Sequence, residues 1–190
     1  SDGASATTTF ALVVNNVAPN VARGRATVTV NEGQTAMNTG TWSDVGVDVV
    51  TLSASVGAVT KNGDGTWSWS LAATDGPAQT QIVSITATDS DGEATATTFL
   101  LVVNNVTPSL TVNQSTIRVN EAALVSNGGT FGDVGADVVT LTPSVGTITN
   151  NGNGTWSWDH RASDEMEFVT VTATDDDGAS KSVFFLVLVT

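Results

Sequence analysis

TWSDVGVDVVTLSASVG occupies residues 41–57 and TFGDVGADVVTLTPSVG occupies residues 130–146. The second begins 89 positions after the first (130 − 41). The same offset relates NGDGTWSW at Asn62–Trp69 to NGNGTWSW at Asn151–Trp158, and VNE at Val30–Glu32 to VNE at Val119–Glu121. After the tryptophans the second copy drops three residues (170 − 84 = 86), and SITATDSDG from Ser84 aligns with TVTATDDDG from Thr170. Such order and spacing mark an internal duplication, so the chain is built from two copies of one unit.

Each copy is cut into short runs by turn dipeptides at Glu32-Gly33, Asp44–Gly46, Val56-Gly57, Asn62–Gly65, Asp75–Pro77 and Asp89–Gly92. Between the turns, Thr/Val-rich segments alternate with period two. Val50, Leu52 and Ala54 share one face, as do Trp67, Trp69 and Leu71, and Val83, Ile85 and Ala87; the second copy keeps that parity. No helical period is present. The pattern predicts an all-β chain of tandem immunoglobulin-like β-sandwiches, about seven strands each.

The last strand has a third copy. Residues Ala4–Asn15 (ASATTTFALVVN) match Glu93–Asn104 (EATATTFLLVVN), again at an offset of 89 (93 − 4). The expected organisation is therefore a final strand of a truncated upstream repeat at 1–15, module one at 17–104 and module two at 106–190. Without its own sheet, the strand at 1–15 exposes Phe10, Leu12 and Val14 and an unpaired edge. Strand exchange with a neighbouring chain and disorder are the two outcomes to expect. The links NNVAPN (15–20) and NNVTPS (104–109) are short, and each proline fixes its own φ and extends its predecessor, so the modules should stand end to end with limited swing.

Composition excludes much chemistry. Among 190 residues there is no Cys, no Tyr, one His and six Lys or Arg. Disulfides, thiolate metal sites and most acid–base or nucleophilic catalysis lack their residues. His160 stands where the first copy has Leu71, with no serine or second histidine in a recognisable arrangement, so no catalytic residue is assigned and the chain is not expected to be an enzyme. Only Lys61 and Lys181 are available for an isopeptide crosslink, and they align with Asn150 and Thr95, so no crosslink is common to both copies. The net charge of −13, from 19 acidic side chains, disfavours nucleic acid and anionic membranes. No stretch approaches the roughly 20 apolar residues of a membrane span.

The chemical feature that remains is the acidic hairpin: Asp89, Asp91 and Glu93 in TDSDGE, and Asp175, Asp176 and Asp177 in TDDDGA. Closely spaced carboxylates before a glycine suit a hard cation such as Ca²⁺, while the Asp-Gly dipeptide equally suits a plain hairpin turn. Glu32 and Glu121, and Asp44/Asp48 with Asp133/Asp137, add ligands if their loops reach the same end. The candidate calcium set is Asp89, Asp91, Glu93, Asp175, Asp177, Glu32 and Glu121, with the junction around Asn104–Val106 favoured. The pairs Trp67/Trp69 and Trp156/Trp158 read as core, or as a stacking platform for sugars if their face is exposed.

At these residues the chain resembles bacterial immunoglobulin-like repeats of the polycystic-kidney-disease (PKD) type, and the cadherin-like and VCBS repeats of large surface proteins. ITATDSDGEATATTFLLVV at Ile85–Val103 is similar to the closing hairpin of PKD-type and cadherin-like repeats. NGDGTWSW at Asn62–Trp69 is similar to a VCBS strand, and GTWSDVGVD at Gly40–Asp48 to an early PKD-type segment. The WDFGDG core of PKD repeats is missing, and the linker reads NN where cadherins carry aspartates. The resemblance implies a secreted or bacterial cell-surface protein in which the repeats act as spacer, stalk or adhesive arm. The partners it implies are neighbouring repeats and a glycan or cell-surface protein.

Overall fold

The computed structural model describes residues 2–190, and among them every regular element is a strand. The first module contributes β1 (Asn20–Arg23), β2 (Thr27–Asn31), β3 (Thr35–Ser43), β4 (Thr51–Ala54), β5 (Ala58–Lys61), β6 (Thr66–Ala72), β7 (Gln81–Thr88) and β8 (Ala94–Asn104). The second repeats them as β9 (Ser109–Leu110), β10 (Thr116–Val119), β11 (Leu124–Gly132), β12 (Thr140–Pro143), β13 (Thr147–Asn150), β14 (Thr155–Arg161), β15 (Glu167–Thr174) and β16 (Ser180–Val189). Each module pairs two four-stranded sheets, ordered β1-β3-β6-β5 and β2-β8-β7-β4 in the first, and β9-β11-β14-β13 and β10-β16-β15-β12 in the second. This is the two-sheet immunoglobulin-like arrangement.

The count is eight strands per module where the sequence pattern suggested about seven, because the first strand divides. β1 pairs antiparallel with β3, whereas β2 crosses to the other sheet and runs parallel to β8. At the crossing the backbone leaves both ladders, and a polar group without a partner there is costly. Buried Asn38 fills the gap: its Oδ1 accepts from the Arg25 amide (3.2 Å) and its Nδ2 donates to the Arg25 carbonyl (3.0 Å). Asn127 does the same for Gln114, at 3.3 and 2.9 Å. Period-two alternation carries no sign of this duplicated asparagine, because each acts on a segment 13 positions earlier in the chain.

The inward faces form one core per module. Trp67, Trp69, Val83, Ile85, Ala87, Phe99, Leu101 and Val103 are buried in the first, with Trp156, Trp158, Val169, Val171, Ala173, Phe185 and Val187 in the second. The tryptophans anchor both. Trp69 meets Phe99 edge-on at 4.9 Å and Trp158 meets Phe185 likewise at 4.9 Å. Their indole N–H groups donate to the carbonyls of Val56 and Val145, each at 2.7 Å. Trp67 and Trp156 donate to Ala22 and Thr111, each at 3.1 Å. A buried indole with its donor satisfied gives up no hydrogen bond for its large apolar area. The tryptophan pairs are therefore core, and the sugar-stacking alternative built on them is corrected: none of these four indole faces reaches the surface.

Residues 2–19 precede β1 and carry no strand. Phe10, Leu12 and Val14 there are 87%, 78% and 81% exposed.

Candidate cation site at the module junction

The link between modules is short, and both its neighbours grip it. Glu32, in the corner after β2, is only 2% exposed, yet it is a carboxylate. Its two oxygens accept from the backbone amides of Gly76 (2.9 Å) and Val106 (2.7 Å), so one side chain ties the first module to the linker. The loop after β11 then docks on the first module. The Ala136 amide donates to the Thr74 carbonyl at 2.7 Å. Gly135 adopts φ +82°, and a Cβ there would lie 2.5 Å from the Thr74 carbonyl oxygen, so glycine is required by both conformation and space.

Below this contact the carboxylates gather. Oxygens of Glu32, Asp137 and Asp177 lie within 4.8 Å of one another, and so do those of Asp133, Asp137 and Asp175. Asp137 belongs to both triads. Glu32 comes from the first module; Asp133 and Asp137 come from the β11–β12 loop and Asp175 and Asp177 from the β15–β16 hairpin of the second. Asp175 is buried, accepting from the Ala179 amide at 2.7 Å and from the linker Asn105 Nδ2 at 3.0 Å. Three oxygens in this region, Asn105 Oδ1, Asp133 Oδ2 and Asp137 Oδ2, are buried with no donor from the protein.

The electrostatics follow from crowding like charges out of water. Burial, with the charges of Glu32, Asp176, Asp133 and Asp177, pushes the Asp137 carboxyl up to about 6. Burial likewise raises Asp133, helped by Asp175, Glu32 and Asp176 and opposed by the Val134 amide. Asp177 is raised by burial and then by Asp75, Asp176, Asp175 and Glu32. Among the described residues the sole ion pair is elsewhere, His160 Nε2 with Glu167 Oε2 at 3.0 Å, so no basic side chain neutralises the junction. That pair, together with the stacking of His160 beside Trp158 at 5.6 Å, gives the single histidine a structural setting. The Lys61 ammonium donates to the Val50 carbonyl at 2.6 Å and lies 3.9 Å over the Trp42 ring.

The candidate ligands from the sequence thus divide among three places. Glu32, Asp175 and Asp177 meet at the junction, joined by Asp133 and Asp137, which the sequence offered only as possible additions. Asp89, Asp91 and Glu93 lie in the β7–β8 hairpin, at the end of the first module away from the junction. There Asp89 accepts from Asn16 Nδ2 (2.9 Å) and the amides of Asp91 (3.0 Å) and Glu93 (2.9 Å). Burial works against its charge, but those hydrogen bonds, the Asn16 amide first, hold it below the usual aspartate value. Glu121, the counterpart of Glu32, follows β10 and is exposed. The signal that could have found Asp133 and Asp137 is their repetition at Asp44 and Asp48 in both copies.

The donor set is oxygen throughout, with neither thiolate nor imidazole. That suits a hard cation such as Ca²⁺, which takes 6–8 oxygen ligands, and does not suit zinc. The geometry fits a divalent ion shared by two modules.

No family model matches the chain, and no curated protein matches it. Among solved structures, the titin domains Z1Z2 in complex with telethonin align over 93% of this chain and 98% of theirs, at 18% identity and a TM-score of 0.53. The Ig1-2 module of the Drosophila receptor protein tyrosine phosphatase DLAR covers 92% of this chain and 100% of its own, at 12% identity and TM-score 0.39. The Yersinia pseudotuberculosis adhesin InvE aligns over 89% of this chain and 58% of its own, at 16% identity and TM-score 0.38. At 18% identity the likeness to the titin pair is one of fold, and with its two four-stranded sheets per module the chain is a tandem pair of immunoglobulin-like sandwiches.

Proposed function

We propose that the chain is a non-catalytic structural repeat pair of an extracellular or bacterial cell-surface protein, a stalk segment whose junction is stiffened by Ca²⁺. One observation carries this reading. Five carboxylates from two modules converge where the linker passes, with buried orphan oxygens and no basic side chain among them. Such charge crowding is unfavourable without a cation and becomes a clamp with one, because the ion draws Glu32 of one module to the aspartates of the next. The tandem pairing of sandwiches, the acidic charge and the scarcity of catalytic residue types agree with a spacer. The resemblance to surface repeats supports the location.

The test is a thermal melt of the chain in EDTA and in 10 mM calcium, with a calorimetric calcium titration beside it. For a Kd on the order of 10⁻⁴ to 10⁻³ M, usual for extracellular modules, 10 mM calcium adds about 1.4–2.7 kcal/mol of stability. The gain should vanish in Asp137→Asn, which removes the carboxylate shared by both triads, and persist in Asp48→Asn, its counterpart at the other end. Superimposable melts with no heat of binding would leave a metal-free spacer.

A second reading, a glycan- or protein-binding surface, rests on Phe168 and Phe184. They lie on the outer face of β15 and β16, 66% and 69% exposed, where the first module has Ile82 and Thr98. Retention on a polysaccharide or cell-surface protein panel that disappears in the Phe168→Ala/Phe184→Ala double variant would favour it.

A further inference from the structure

The geometry points to residues 4–14 as a docking strand: the last strand of a further sandwich of this same repeat type, lying ahead of the first module. The inference shares with the proposed function the premise of a linear array, but it does not depend on calcium.

Three observations converge. First, Phe10, Leu12 and Val14 correspond in sequence to Phe99, Leu101 and Val103 of β8, which are buried in the first core at 2%, 0% and 1% exposure. In the second module the same positions are Phe185 and Val187, also buried, and Val189. The segment thus has the inward side chains of a core strand and no core of its own among the described residues, leaving three large apolar groups in water. Second, the alternating residues Ala11 and Val13 correspond to Leu100 and Val102, which face outwards from β8, so the period-two pattern of a one-face-buried strand is intact. Third, the segment is already fixed to the first module as β8 is fixed to the second. Asn16 Nδ2 donates to Asp89 at 2.9 Å, and Asn105 Nδ2 donates to Asp175 at 3.0 Å. Residues 14–17 line one cavity together with Val45, Gly46, Val47, Asp48 and Asp91, which belong to the loops equivalent to those beside the linker at the junction.

The occupant that fits is a polypeptide carrying the equivalents of β1 to β7 without a closing strand. Residues 4–14 would insert between its β2- and β7-like strands, parallel to the first and antiparallel to the second, in the register that pairs Val28 with Leu101 and Phe99 with Val83 here. The VNE glutamate of that sandwich would then face Asp48 and Asp91, as Glu32 faces Asp137 and Asp177. A second copy of the present chain does not fit, since both of its modules already hold their own last strand.

The test extends the full chain by placing a second copy of residues 17–92 directly ahead of Ala4, so that residues 4–14 follow its hairpin where β8 follows residue 92. All measurements are made in EDTA, so that a failure of the calcium reading leaves this result unaffected. In the native chain the amides of residues 4–14 should exchange with solvent unprotected. In the extended chain they should slow at least about a hundredfold, as expected for core-strand amides, and the added tryptophans should become buried. Leu12→Asp should abolish both effects in the extended chain and leave the native chain unchanged, whereas Ala11→Asp, on the outward face, should be tolerated. The positive control carries residues 93–103 in place of 4–14. The inference is overturned if that control folds while the extended chain leaves residues 4–14 unprotected. It is equally overturned if the native chain runs as a dimer that Leu12→Asp converts to a monomer, for then the strand's partner is a second copy.

Discussion

The hairpins at residues 89–93 and 175–179 are nearly the same sequence in very different surroundings. Both begin with a buried aspartate clasped by a linker asparagine and by amides of its own turn. At the first, Asp89 is held below the usual aspartate value, and each of its carboxylate oxygens has a donor. At the second, the corner after β2 of the preceding module closes over the hairpin and brings Glu32 with it. Crowding then raises Asp177 in the hairpin and Asp133 and Asp137 beside it. The motif alone makes a well-capped turn; at the junction the same motif becomes part of a cluster of carboxylates from two modules.

If the two modules differ only at their ends, their cores should respond alike. Trp69→Ala and Trp158→Ala should each cost about 3–5 kcal/mol, measured by denaturant unfolding and confined to the module that carries the change. A loss of less than 1 kcal/mol at either site would mean the two cores are not equivalent.

The next effect separates the ends. Glu32→Ala strands the amides of Gly76 and Val106 and should cost about 2–3 kcal/mol, given the strength of hydrogen bonds to charged acceptors. Interdomain motion, read by NMR relaxation, should rise with it. Glu121→Ala, at the exposed counterpart, should fall within about 0.5 kcal/mol of the parent, as surface changes do. Equal losses would break the comparison, because they would show that Glu32 acts within its own module and not across the junction.

The smallest effect is the dependence on pH. A carboxyl whose folded value is raised binds its proton more tightly in the folded state. Its stabilising contribution is therefore complete below the ordinary aspartate value of 3.8 and is lost as pH rises through about 6 for Asp137. The calcium-free chain should gain about 1 kcal/mol between pH 7.5 and pH 5, after allowance for water screening at this partly exposed group. Asp137→Asn should flatten the profile, and saturating calcium should lower the apparent titration. A calcium-free profile that is already flat over this window would argue against crowding at the junction.

Much of the architecture was legible because duplication displays it twice. Where two copies keep the same parity, as Trp67/Trp69 and Trp156/Trp158 do, the alternation that fixes the inward face is read independently in each. The division of the first strand was not legible, because the kink depends on Asn38 and Asn127 reaching across from a neighbouring strand. Nor was the membership of the acidic site. Glu32 and Asp177 are separated by 145 positions (177 − 32) and approach only when the second sandwich docks.

By itself, the sequence determined that this protein is a pair of all-β repeats with tryptophan-anchored cores, no disulfides and a strong negative charge. These are consequences of composition and local period, which act within a strand or a turn. Only the tertiary structure decided which of the repeated acids meet. That depends on which end of one sandwich faces which end of the next, and a short linker held by Glu32 and Asn105 fixes that orientation through contacts between residues far apart in the chain.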